Sequence, residues 1–74
     1  MNWEERIESN PSVLRGKPCV KGTRIPVALV LGHLASGLDT AGVIHELPGL
    51  VPDDIAACLD YARELADHEV AAPA

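Results

Sequence analysis

The sequence predicts a mainly α fold in which three short helices bundle behind a short N-terminal β element and an irregular arm. Three observations predict it. A chain of 74 residues supports one small core, because a body of this size buries only about 60% of the surface its unfolded chain exposes. The stretch from Leu14 to Pro26 holds Gly16, Pro18, Gly22 and Pro26, a density of glycine and proline that prevents a helix. Beyond Pro26, apolar residues recur at spacings of three and four in three runs separated by Ser36-Gly37 and Pro48-Gly49.

The elements follow in order within a single domain expected over residues 1–69. Arg6 to Ser9 reads as briefly extended, ended by the turn at Asn10-Pro11. The arm, residues 6–26, takes short β pairing, with Thr23-Arg24-Ile25 as its second strand and Gly16 and Gly22 as its turns. The first helix, about 26–36, starts with Pro26 in its first turn, carries Val27, Val30, Leu31 and Leu34 at helical spacing, and closes at Gly37. The second, about 39–47, opens with Asp39 as N-cap and Leu38 as a staple reaching Val43, and ends at Pro48-Gly49. The third, about 52–69, starts on Pro52-Asp53-Asp54, with acids favourable to the helix dipole, and its spacing predicts a core face of Ile55, Leu59, Ala62, Leu65 and Ala66. Residues 70–74 are expected to fray. Two short helices joined by a glycine-containing turn and followed by a third is the order of a homeodomain-like helix-turn-helix domain. That order alone says little about function, since many three-helix domains bind no nucleic acid.

Composition narrows the function classes. Cys19 and Cys58 form no CxxC pair and His33, His45 and His68 are scattered, so neither a metal site nor a cofactor is expected. The cysteine spacing leaves a disulfide open, while the apolar neighbours of both favour buried free thiols. No apolar run approaches the ~20 residues of a membrane span and no signal segment opens the chain, so a cytoplasmic protein without membrane contact is expected. A hydrophobic content of 47% in so small a body favours a homodimer. Catalysis is not expected. His33 and His45 beside Asp39 or Glu46 would need a concave, partly dry pocket that three short helices hardly enclose, and Gly16 to Gly22 lacks the phosphate-loop pattern.

The net charge of −5 conceals an asymmetry. Residues 1–37 carry five cations against three acids, and residues 38–74 one cation against eight. Between Glu8 and Asp39 there is no acid, and Arg15, Lys17, Lys21 and Arg24 all fall in that interval. An anionic partner can be met there, although the same four residues also fit plain solvated loop charges. The acid-rich third helix makes a poor recognition helix, so any DNA contact is expected from the arm, acting from both subunits of a dimer.

The arm's wording, GKPCVKGTRIPV from Gly16 to Val27, closely resembles the signature of the domain of unknown function family 433. The resemblance covers nearly the whole chain: Trp3, Arg6 and Ile7, Asn10-Pro11, Gly22-Thr23-Arg24, Gly37-Leu38-Asp39, Leu47-Pro48-Gly49-Leu50, then Asp54-Ile55 and Ala62. It implies a small trihelical fold with a short β element and, for many members, an antitoxin role beside a PIN-like ribonuclease toxin from a neighbouring gene, with operator DNA as a further partner. The candidate toxin- or nucleic-acid-binding residues are those of the cationic arm, Arg15, Lys17, Lys21 and Arg24, with Thr23 beside them. PIN-like nucleases hold divalent metal in a carboxylate cluster, and a cationic arm can occupy that pocket. Arg24 suits the plug, because its planar fork engages a carboxylate at two points. The alternative is a stand-alone dimeric DNA-binding helix-turn-helix module. Two positions depart from the family pattern. Gly42 stands where an acid is common, at ~1 kcal/mol relative to alanine for a helix interior, and Val51 stands where a Ser or Thr cap is common.

Overall fold

A computed structural model of the chain describes residues 1–68. It is mainly helical, with a small two-stranded antiparallel sheet near the N-terminus. A single 3-10 turn at Trp3–Glu5 leads into β1 (Ile7–Glu8), a second turn at Leu14–Gly16 into β2 (Cys19–Val20), and then come α1 (Val27–Ala35), α2 (Thr40–Glu46) and α3 (Pro52–His68). The expected frayed tail and the expected helix end near Glu69 lie outside the described residues.

The second strand lies earlier than the β-branched residues suggested. Cys19 and Val20, not Thr23 to Ile25, pair with β1, in the register Ile7 with Val20 and Glu8 with Cys19. Thr23 is bent into a turn instead: its hydroxyl donates to the Val20 carbonyl at 2.8 Å and accepts from the Ile25 amide at 3.0 Å. Only after that turn does the chain touch the other side of β2, through the Val20 amide to the Ile25 carbonyl and a bridge between Cys19 and Pro26. Two strand residues sit between neighbours on both sides, which places Cys19 and Val20 in the core at 3% and 2% exposure.

Each helix boundary has a local cause. Pro26 is the N-cap of α1 rather than its first helical residue, with extended backbone. At the other end the Leu38 amide donates to His33 and the Gly37 amide to Leu34, the paired bonds of a Schellman motif, with Gly37 at φ +106°. The Asp39 carboxylate caps α2 by accepting from the Gly42 amide at 2.8 Å. A Cβ at residue 42 would lie 3.3 Å from Asp39 Oδ1 and from Leu38, so the glycine leaves room for the cap and for Leu38 to fold over the helix. α3 is capped despite Val51. Asp54 reaches back so that its carboxylate accepts from the Val51 amide at 2.9 Å, while its own amide donates to the Val51 carbonyl, the far half of a capping box.

The core is built from Ile7 and Val20 of the sheet, Val27 and Val30 of α1, Val43 of α2, Leu50, and Ile55, Ala57 and Cys58 of α3. The expected inner face of α3 is therefore corrected. Ile55 is buried, but Leu59 and Leu65 are 50% and 54% exposed, and the inward positions are Asp54, Ala57 and Cys58, with Tyr61 packed on the edge. Both cysteines are buried free thiols. Burial, and then the nearby Asp54 charge, push the Cys58 thiol from 9.0 to about 11. Among the described residues no helix is long and apolar enough to cross a membrane, and no group of three or more His, Cys, Asp or Glu is placed to hold a metal ion.

Candidate functional site

The N-terminal segment is held on α3 by charge and aromatic contacts that fix where the arm begins. Arg6 Nη1 donates to Asp54 at 3.0 Å and Nη2 to Asp53 at 3.4 Å. Asp54 is only 7% exposed, so one carboxylate carries both the helix cap and the arm's anchor. One turn earlier, the Trp3 indole N–H donates to Glu64, its amide to Asp60, and its ring meets Tyr61 edge-on at a centroid distance of 4.8 Å. Sequence spacing gave no sign of these partners, which stand 47 or more residues apart.

With its root fixed, the arm turns sharply. Leu14, Arg15 and Gly16 all take positive φ, at +50°, +57° and +82°, and the Gly16 and Lys17 amides donate back to Val13 and Leu14. This is one left-handed turn, a conformation that costs about 1–2 kcal/mol for each residue other than glycine. It sets Leu14, Arg15 and Lys17 around a shallow groove of about 280 Å³. Leu14 was missed by sequence reasoning; its signal, an apolar residue directly before two exposed cations, was present but indistinguishable from a core position.

The expected binding residues divide by what they touch. Lys21 faces a different hollow, of about 380 Å³, with Glu5, Arg6 and Asp54, and its ammonium donates to the Glu4 carbonyl at 2.8 Å. Thr23 is committed to the turn, with Gly22 at φ +77°. Arg15, Lys17 and Arg24 are exposed, and their side chains make no hydrogen bond or ion pair among the described residues. Elsewhere Arg63 is bound between Asp60 at 3.1 Å and Asp67 at 2.6 Å, and these carboxylates, Asp60 first, hold its guanidinium more firmly protonated than usual. The six cationic side chains thus sort evenly. Arg6, Lys21 and Arg63 are engaged within the fold, and the unengaged three all lie between residues 15 and 24.

The expected turn residues Gly16, Gly22 and Gly37 hold positive φ, Asp39 is a cap, and Pro48 and Gly49 form the turn between α2 and Leu50. Their part is to set the spacing of the elements; none adds a polar side chain to the groove.

A family model described as a protein of unknown function, DUF433, matches residues 7–62. The uncharacterized protein y4eO of Sinorhizobium fredii (strain NBRC 101917 / NGR234) is 34% identical over 59 residues, which cover 80% of this chain and 27% of that relative. The chain thus spans about a quarter of the length of the relative it matches. No solved structure matches. The matched residues run from the strand that anchors the arm to the edge of the α3 core contact, and on that match the chain belongs to the DUF433 family.

Proposed function

We propose that the protein is the antitoxin of a toxin–antitoxin pair, acting in the cytoplasm and neutralising a PIN-like ribonuclease by inserting the cationic arm into its carboxylate-lined metal pocket. The observation that carries this reading is the sorting of the cations. Arg15, Lys17 and Arg24 remain exposed and unengaged among the described residues, while the other three are absorbed into the fold. Unengaged guanidinium groups keep their full donor sets for an incoming carboxylate, and Arg24 can present its fork at two points. Lys21 and Thr23 move out of the contact set and into its support. Gly22 keeps the hairpin before Arg24 narrow at φ +77°.

The test is coexpression and copurification with the product of the adjacent gene, using the wild-type chain and an Arg15→Ala/Lys17→Ala/Arg24→Ala variant. The wild type is expected to form a stable complex and relieve toxicity, and the variant to lose both while keeping its helical spectrum. Absence of a complex with the wild type, or full neutralisation by the variant, rejects the reading.

A second reading, a stand-alone dimeric DNA-binding module with a homeodomain-like helix-turn-helix arrangement, draws on the tight Schellman turn and cap that join α1 to α2 ahead of α3. It predicts binding to duplex DNA that weakens steeply with salt, and a shallower salt slope when Arg15, Lys17 or Arg24 is neutralised. Against it stands the start of α3, where Asp53 and Asp54 would meet phosphate oxygens.

A further inference from the structure

The left-handed turn at the arm's tip is strained and yet firmly mounted. On its near side Asn10 holds it, the side-chain oxygen accepting from the Ser12 amide at 2.9 Å and the carbonyl from the Val13 amide at 2.8 Å. On its far side the Lys17 carbonyl accepts from the buried Cys19 thiol at 3.3 Å, and the Pro18 carbonyl from the Val27 amide at 2.9 Å. Among the described residues, Leu14 and Arg15 are the two other than glycine at positive φ, +50° and +57°. A bulky residue held there is an outlier, and such outliers persist where the surroundings fix them and gather at ligand contacts.

What this mount presents is an apolar side chain beside two cations. Leu14, 39% exposed, lines the groove of about 280 Å³ together with Arg15 and Lys17, and no acidic side chain joins them. Glu8, on the strand paired with β2, makes no ion pair with either cation among the described residues. The groove is thus positive within a chain of net charge −5, and its occupant is anionic. Leu14 decides which kind of anion. Duplex phosphates are flanked by sugar and water and offer a leucine no apolar recess, and two cations release only about 2 counterions, against about 6–10 phosphate contacts in a strongly salt-dependent DNA binder. Carboxylates on a protein stand beside apolar side chains, so one surface can meet the charges of Arg15 and Lys17 and the methyl groups of Leu14 together.

We infer that the turn at residues 14–17 is a docking site for an acidic protein segment whose carboxylates stand next to apolar side chains, with Arg15 and Lys17 taking the carboxylates and Leu14 the apolar neighbour. The inference rests on the proposed role of the arm in binding carboxylates, not on the partner being a nuclease. It makes Leu14 the residue that selects among acidic partners. Arg24 follows the next turn and is not part of this groove.

Amide NMR on the isotope-labelled 74-residue chain, titrated with two short end-blocked peptides of equal charge, tests this. One peptide alternates aspartate with leucine and the other aspartate with serine. Both are expected to shift the amides of residues 14–17, the leucine peptide with a dissociation constant on the order of 1 mM and the serine peptide about 5–10-fold more weakly. Leu14→Ala is expected to bring the two to equal affinity, and Arg15→Gln/Lys17→Gln to abolish both. The comparison between peptides is made on the unaltered chain, so it stands even where a variant fails to fold. Equal binding of the two peptides overturns the inference, as do shifts centred elsewhere, no binding at about 10 mM, a folded Leu14→Ala chain that keeps the preference, or a short duplex DNA of equal charge that binds these amides more tightly than the leucine peptide. Copurification with the adjacent gene product judges the antitoxin reading separately. Carboxylate binding without preference for leucine leaves that reading standing, and a selective groove in a chain that forms no such complex rejects that reading alone.

Discussion

Replacing Asp54 with alanine removes two interactions made by one carboxylate. The first is the cap at the Val51 amide, at 2.9 Å, worth about 0.5–2 kcal/mol by comparison with other N-terminal caps. The second is the pair with Arg6, at 3.0 Å. Breaking a fully buried pair costs about 3–5 kcal/mol, but Arg6 is about a third exposed and Asp53 stands 3.4 Å from its other nitrogen, so water and Asp53 recover most of that and about 1–2 kcal/mol remains. Together these give a loss of about 1.5–4 kcal/mol. A domain of this length holds about 4–11 kcal/mol in all, so the variant sits near the edge of folding. The melting temperature should fall by roughly 6–30 °C. Urea titration followed by circular dichroism measures the loss, and a double-mutant cycle with Arg6→Met isolates the pair, with an expected coupling of about 1 kcal/mol. Asp53→Ala, at a largely exposed position, should change stability by less than about 0.5 kcal/mol. If Asp54→Ala costs no more than Asp53→Ala, or if the Arg6 and Asp54 changes are additive, then the claim that this carboxylate anchors the arm to α3 is wrong.

Three further outcomes follow from the structure. Gly37→Ala, at φ +106° in the Schellman turn, should cost about 1–2 kcal/mol, whereas Gly49→Ala, with open space around its Cβ position and no positive φ, should stay within about 0.5 kcal/mol; thermal melts compare the two directly. Trp3→Phe keeps an aromatic edge against Tyr61 but loses the indole donor to Glu64, so it should cost about 1 kcal/mol, and Trp3→Ala more, in the same melts. The Cys58 thiol is pushed from 9.0 to about 11 by burial and by Asp54. Below pH 9 the folded and unfolded chains both keep its proton; between about 9 and about 11 the unfolded chain releases it first, so rising pH favours unfolding, by up to ~1.4 kcal/mol per pH unit. Urea midpoints taken from pH 8 to pH 10.5 should show that slope in the wild type and a shallower one in Cys58→Ala; equal slopes would contradict the assignment.

The three helices were legible because their punctuation is local. Gly37 and Asp39 act through bonds to residues three positions away, and Pro52 through its own ring-fixed φ at the first helical position, all within a distance that sequence reading covers well. What was not legible depends on the rest of the body. β2 has two residues, too few to show alternation, and its place is decided by Ile7 thirteen residues earlier; Thr23, with stronger strand propensity, goes to the turn because its hydroxyl closes it, and Ile25 follows the turn with its carbonyl on the far side of β2. The spacing along α3 correctly marked an apolar face, but periodicity carries no information on where the protein body stops, so Leu59 and Leu65 were assigned to a core that does not reach them. Asp54 was read as a favourable charge at a helix start. Its second task, holding Arg6, needed the fold to bring residue 6 to residue 54. The cationic interval from Arg15 to Arg24 was visible in the sequence, whereas the removal of Lys21 from it required the position of the Glu4 carbonyl.

The chain has one tryptophan, one tyrosine and no phenylalanine, and the two aromatic rings it has touch each other. Its intrinsic ultraviolet emission is therefore a label-free gauge of a single joint, the one between the first turn and the last helix. Peeling of that turn alone would alter the emission while leaving the helical signal at 222 nm unchanged, and cooperative unfolding would move both together. Local and global opening can then be told apart in one cuvette, without attaching a dye to a molecule hardly larger than several dyes.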